Sequence, residues 1–196
     1  MRSLALSCVL VVCSTLVSAA LITSDPGTGT TTVFPSTALV TNVTGPVVYG
    51  GFTITGNPSF SYGSLGSLSY GLGTNGLWKT NSFVAGDFGT FIVTIDLGGL
   101  YGLVGGFMNY DPLGPHTTDA TITALAADGT TVLATYDLET LAPISTPSAT
   151  DGGAFRGIQL ATNNIRYFQF SGDYLLTHTL EVGAMASRWF PMARPC

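Results

Sequence analysis

Residues 88–111 read FGTFIVTIDLGGLYGLVGGFMNYD, and their pattern changes halfway. In the first half Phe91, Val93, Ile95 and Leu97 alternate with Ile92, Thr94 and Asp96, the period-2 signature of a strand with one buried face. The second half is just as apolar but is interrupted by Gly98, Gly99, Gly102, Gly105 and Gly106. Each glycine costs a helix roughly 1 kcal/mol relative to alanine. The stretch therefore predicts two consecutive strands joined through a glycine bend, with the glycines marking a bulged, curved course.

The rest of the chain repeats this grammar. Residues 38–43 and 47–55 read as strands turned by Gly45-Pro46, with Val48, Gly50, Phe52 and Ile54 on one face. Residues 59–76 carry six large apolar groups between Gly and Ser, a short hairpin or an irregular loop, followed by a short strand at residues 77–80. Runs 120–126 and 132–138 flank Asp128-Gly129, the signal for a hairpin with a primed two-residue turn. Residues 155–160 and 165–171 predict a further hairpin across Asn163-Asn164, and Leu176, His178, Leu180 and Val182 alternate in a last strand. About ten short strands, no convincing helix and no fixed repeat imply an all-β, two-sheet antiparallel sandwich. It would be jelly-roll-like, in the manner of galactose-binding and other carbohydrate modules, with a barrel as the alternative.

Only 9% of the 196 residues are charged, against about 25% in an average domain, while 45% are hydrophobic. That balance suits a packed β domain and argues against disorder. Residues 1–20 have the form of a secretory signal: Arg2, an apolar run over residues 4–17, and the small residues Val17-Ser18-Ala19. The expected division is a signal peptide over 1–20, an extended lead-in over 21–27, a sandwich over 28–184 and an irregular tail over 185–196. Cys8 and Cys13 would leave with the signal, and Cys196 alone would remain. An internal disulfide is then excluded, so burial and strand pairing must hold the fold. After processing, five basic residues face eleven acidic ones without a basic cluster, which makes nucleic acid and anionic membranes poor partners. The apolar run is also short for a stable membrane span.

Catalytic patterns are missing. The two histidines, His116 and His178, have no metal-ligand spacing around them, and there is no Gly-x-Ser-x-Gly elbow. His178 reads as a partly buried strand histidine. Glu139 and Glu181, the only glutamates, read as solvent-facing residues with nothing to mark them as a paired acid and base. No catalytic residue is assigned and no cofactor is required. A structural calcium ion is the one ion considered, with Asp111, Asp119, Asp151 and Asp173 at loop edges as ligands. Aromatic rings stack on the apolar faces of sugars while amides take the hydroxyls. Tyr62, Tyr70 and Trp78, with Asn109 and Tyr110, are the candidate sugar platform.

The order of segments resembles short exported bacterial β-sandwich proteins of the PEP-CTERM sorting class. The segments are the signal, GGFTITGN (50–57), FIVTIDL (91–97) with GLVGGFMNY (102–110), ITALAADGTTVLATY (122–136) and IRYFQFSG (165–172). The likeness spans residues 28–183, but MASRWFPMARPC (185–196) stands where that class carries its sorting tail. It implies a secreted, extracellular or cell-surface protein without known activity, associated with extracellular polysaccharide. The expected function is a non-catalytic structural or adhesive component of the cell surface or matrix, with a carbohydrate-binding module as the alternative.

Overall fold

The computed structural model describes residues 18–86, 91–112, 119–172 and 174–185. In chain order the first strands are β1 (Ala19–Ile22), β2 (Thr30–Val33), β3 (Val40–Val43), β4 (Val47–Tyr49), β5 (Phe52–Asn57) and β6 (Phe60–Gly63). Then come β7 (Tyr70–Gly71), β8 (Leu77–Trp78), β9 (Phe83–Ala85), β10 (Ile92–Tyr101) and β11 (Leu103–Asn109). The remainder are β12 (Thr121–Leu125), β13 (Val132–Asp137), β14 (Ala154–Leu160), β15 (Ile165–Ser171), β16 (Leu176–Thr177) and β17 (Thr179–Gly183). A single-turn helix, α1 (Leu138–Leu141), starts where the Asp137 carboxylate accepts the amides of Glu139 and Thr140.

The architecture is the antiparallel two-sheet sandwich that the alternation implies; the described residues form 17 strands rather than ten, of which 15 make the two sheets and β7 and β8 pair separately. One sheet has six strands in the order β13-β12-β15-β10-β5-β4. The other has nine: β1-β14-β11 run together, after which β11 pairs both with β16, leading on to β9, β6 and β3, and with β17, leading on to β2. The chain crosses between the sheets at Gly102, so β10 lies in one layer and β11 in the other. Val93, Ile95 and Leu97 of β10 enter the core, where Val104, Ile158 and Leu180 reach in from the opposite sheet. Gly98 adopts φ +71°, and the β10–β15 register shifts between Asp96 and Tyr101, which is the predicted bulge.

Four local expectations change. Val48 is 74% exposed, because Gly50 (φ +58°) and Gly51 (φ +87°) close a tight β4–β5 hairpin and break the alternation. The turn after β12 spans four residues: Ala126 N donates to Thr131 O, and Gly129 N donates to Ala126 O. Asp128 ties that loop, and the Thr131 hydroxyl, followed by the Thr131 and Thr130 amides, lowers its pKa to about 2. β14 and β15 form no hairpin. They lie in opposite sheets, β14 paired with β1 and β11, β15 with β10 and β12. Finally, the last strand bulges at His178. Met108 faces Thr177 but Gly105 faces Glu181, so one extra residue sends Leu176 to a second cluster while Leu180 and Val182 stay in the main core.

That second cluster covers the outer face of the nine-stranded sheet. Leu65, Leu72, Trp78, Phe83, Ala85 and Leu176 are buried there, beneath the small β7–β8 hairpin that residues 59–76 left undecided. Val84 points into the main core while its neighbours Phe83 and Ala85 join the second. The region upstream of residue 28 also enters the sheet: Ala19 and Leu21 of β1 pack on the main core.

Gly106 fixes how closely β11 can approach β16 and β17. A Cβ there would collide with the Thr179 carbonyl oxygen and the Thr177 hydroxyl, and backbone cannot move aside cheaply. Gly106→Ala should lower unfolding stability by about 2 kcal/mol, read from urea denaturation. An unchanged midpoint would show that the close approach is not needed.

Candidate binding surface

The two faces of the six-stranded sheet differ as the alternation requires. Its outward face carries Thr55, Thr94, Gln169, Thr123 and Thr135 in one row across five strands, since these residues are register partners in turn. Gln169 Nε2 donates to Thr94 Oγ1 at 3.0 Å, and Thr123 and Thr135 share a hydroxyl contact at 3.0 Å. Beside the row, Thr121 and Ser171 hydroxyls lie 2.6 Å apart. The face includes one ion pair, Arg166 Nε to Asp96 Oδ1 at 2.6 Å. Although partial burial raises the Asp96 pKa, the Arg166 and Gly98 hydrogen bonds outweigh it and lower the pKa overall. The result is an accessible array of hydroxyls and amides, each with donor or acceptor capacity to spare.

A groove of about 330 Å³ opens at one edge of the sandwich, near the lower limit for a small-molecule site. Thr30 and Thr32 of β2 form one wall, Gly50, Gly51 and Gly98 expose backbone, and Tyr101 supplies an aromatic ring. None of its lining residues is charged.

The sugar platform expected from sequence is not brought together on the surface. Trp78, Asn109 and Tyr110 are fully buried. Trp78 Nε1 donates to Asn81 O and its ring tilts against Phe107. Asn75 Nδ2 donates to Asn109 Oδ1, Tyr110 O and Ile144 O, each at 3.0 Å, and the Tyr110 hydroxyl accepts the Ile144 amide. These polar groups hold an interior loop junction, because a buried amide must find partners. Tyr62 stacks on Phe60 at 5.9 Å between ring centres, and Tyr70 packs edge-on against Tyr174 at 5.6 Å. Both are half-buried packing residues. His178 is partly buried, as anticipated, but it lies at the bend between β16 and β17 and not in a strand, with Nδ1 2.6 Å from Ser82 O.

The calcium ligands also disperse. Asp151 caps the segment after β8, its carboxylate accepting Lys79 N at 2.6 Å together with the Thr80 amide and hydroxyl. Asp111 lies against Gly73, Asp119 is exposed at the start of β12, and Asp173 and His116 lie outside the described residues. Among the described residues no group of three His, Cys, Asp or Glu side chains is placed to hold a metal. Glu139 is tied to the Ala120 amide. Glu181, expected to face solvent, is buried; its strand parity points it away from the core, and only a tertiary crossing covers it.

Compared with protein-family models, curated proteins and solved structures, the chain matches none.

Burial alone would raise the Asp151 pKa, but the Thr80 hydroxyl and the amides of Lys79, Thr80 and Asn81 outweigh it and lower the pKa. A carboxylate with a depressed folded pKa stabilises above its unfolded pKa, and that stability fades as pH falls through the folded value. Asp151→Asn should therefore narrow the difference in melting temperature between pH 7 and pH 3. An equal difference in both proteins would show that this cap does not titrate with folding.

Proposed function

We propose that this protein is exported and acts, without catalysis, as a structural or adhesive component of the cell surface or extracellular matrix. The observation that carries the reading is the nearly uncharged row Thr55–Thr94–Gln169–Thr123–Thr135. Hydroxyls and amides on a regular sheet meet a polyhydroxylated polymer through many weak contacts, and repetition along the polymer multiplies them. The low charge of the chain suits that role, since a neutral polymer offers nothing for a charged surface to grip. Export rests on the apolar run and small-residue site over residues 1–20, and the PEP-CTERM-like order of segments supports the same setting.

A second reading, a carbohydrate-binding module, draws on the groove with Tyr101 and the glycine backbone. A ring for stacking beside hydroxyl and backbone partners is the equipment a sugar needs.

Fractionation of the producing cells tests the first reading. Tagged protein should be recovered with surface polysaccharide, and its mass should begin at Ala20 or Leu21. Recovery only from the cell interior sinks export, and recovery only as free protein in the medium sinks the matrix role. Thr55→Ala/Thr94→Ala/Thr123→Ala should reduce retention several-fold if the sheet face is used, whereas Tyr101→Ala should do so if the groove is. Retention unchanged in both would reject both surfaces.

A further inference from the structure

β1 and β2 lie on opposite sides of β14, β11 and β17 in the nine-stranded sheet, so residues 23–29 must cross it. Each end of this crossing is held by an ionisable side chain of the sheet. Arg156 of β14, buried, reaches the Thr23 carbonyl at 3.3 Å and also donates to Ala142, Pro143 and Phe155 carbonyls. Glu181 of β17 accepts the Gly29 amide on Oε1 at 3.0 Å. Gly29 has to be glycine there, because a Cβ would run into the Glu181 side chain and the Val182 carbonyl.

Glu181 is only 1% exposed, and its second oxygen, Oε2, has no hydrogen-bond partner. Asp25 of the crossing segment faces the same carboxyl; burial first, and Asp25 after it, push the Glu181 pKa above its ordinary value. Asp25 Oδ1 accepts the Gly27 amide at 2.6 Å and Glu181 Oε1 accepts the Gly29 amide, so Glu181 Oε2 is left for a further partner. A buried carboxyl oxygen calls for a partner, and no basic side chain among the described residues acts on Glu181.

We propose that Asp25 and Glu181 form a divalent-cation site, of the calcium class, that pins residues 23–29 across the nine-stranded sheet. Hard oxygen donors on an adaptable loop suit calcium better than magnesium, which demands near-ideal octahedral geometry. The Val182 carbonyl, close beside Gly29, adds a further oxygen donor to the neighbourhood. Bound ion would close the crossing segment over the sheet without a new protein contact.

The test is thermal unfolding of the secreted full chain at pH 7.5 in calcium chloride or in EGTA. Calcium at a hundredfold excess over its dissociation constant should raise the melting temperature by about 5 °C. Glu181→Gln and Asp25→Asn should each abolish that shift. Asp25→Asn lies on an exposed turn and keeps the oxygen that takes the Gly27 amide, so it reads out the site even if the buried variant fails to fold. A wild-type protein indifferent to calcium, whose stability instead falls as pH rises from 5 to 8, would overturn the proposal in favour of a shared proton. A calcium shift that survives in Asp25→Asn would also overturn it, by moving the ion elsewhere.

Discussion

The fold depends on pressing two sheet faces together, and the connection at Gly102 makes that possible. β10 and β11 are consecutive in sequence yet belong to opposite layers, so one short crossing sets Val93, Ile95 and Leu97 against Val104, Ile158 and Leu180. Burial of apolar surface returns about 25 cal/mol per Å². With so few charges in the chain, this term and the strand ladders carry most of the stability. Close backbone approach is the accompanying constraint. Gly105, Gly106 and Gly157 sit where any side chain would strike a neighbouring strand, which explains why glycine crowds the most apolar part of the sequence.

A second layer of burial explains what becomes of the aromatics. The outer face of the nine-stranded sheet is covered by the β7–β8 hairpin, which seats Trp78 and Leu72 over Phe83 and Leu176. Asn75, in the turn between β7 and β8, reaches inward to Asn109, Tyr110 and Ile144 and spends its amide on buried carbonyl and amide oxygens. Such a fully satisfied interior network fixes loop positions. The rings that a sugar could have used are committed to packing, and polar character moves to the outer face of the six-stranded sheet.

That division gives the molecule distinct surfaces. One outward face presents hydroxyls and amides in register, the groove at the sandwich edge offers Tyr101 and bare backbone, and the opposite sheet is crossed by residues 23–29 over the buried Glu181. A sheet face suits many weak contacts with a polymer, and a pinned crossing protects the other layer from opening. The two proposed roles are physically independent, because Glu181 and the hydroxyl row lie on different sheets.

Strand identity was legible from local pattern: Ile92 to Leu97, Ile122 to Leu125 and Ile165 to Phe170 all lie in strands. The bulge near Gly98 was legible too, since glycine interrupting an apolar run has few other uses. Which strand pairs with which was not. β14 and β15 read as a hairpin but occupy opposite layers, because alternation names a buried face without naming the sheet that buries it. Glu181 shows the same limit from the other side: its parity was readable, but its burial comes from a segment more than 150 residues away in the chain. Period-2 patterning and glycine placement, both local, thus determined the class of fold. Partners, coverage and the fate of Trp78, Tyr110 and Glu181 were decided by contacts between distant segments, which exist only once the two layers have closed.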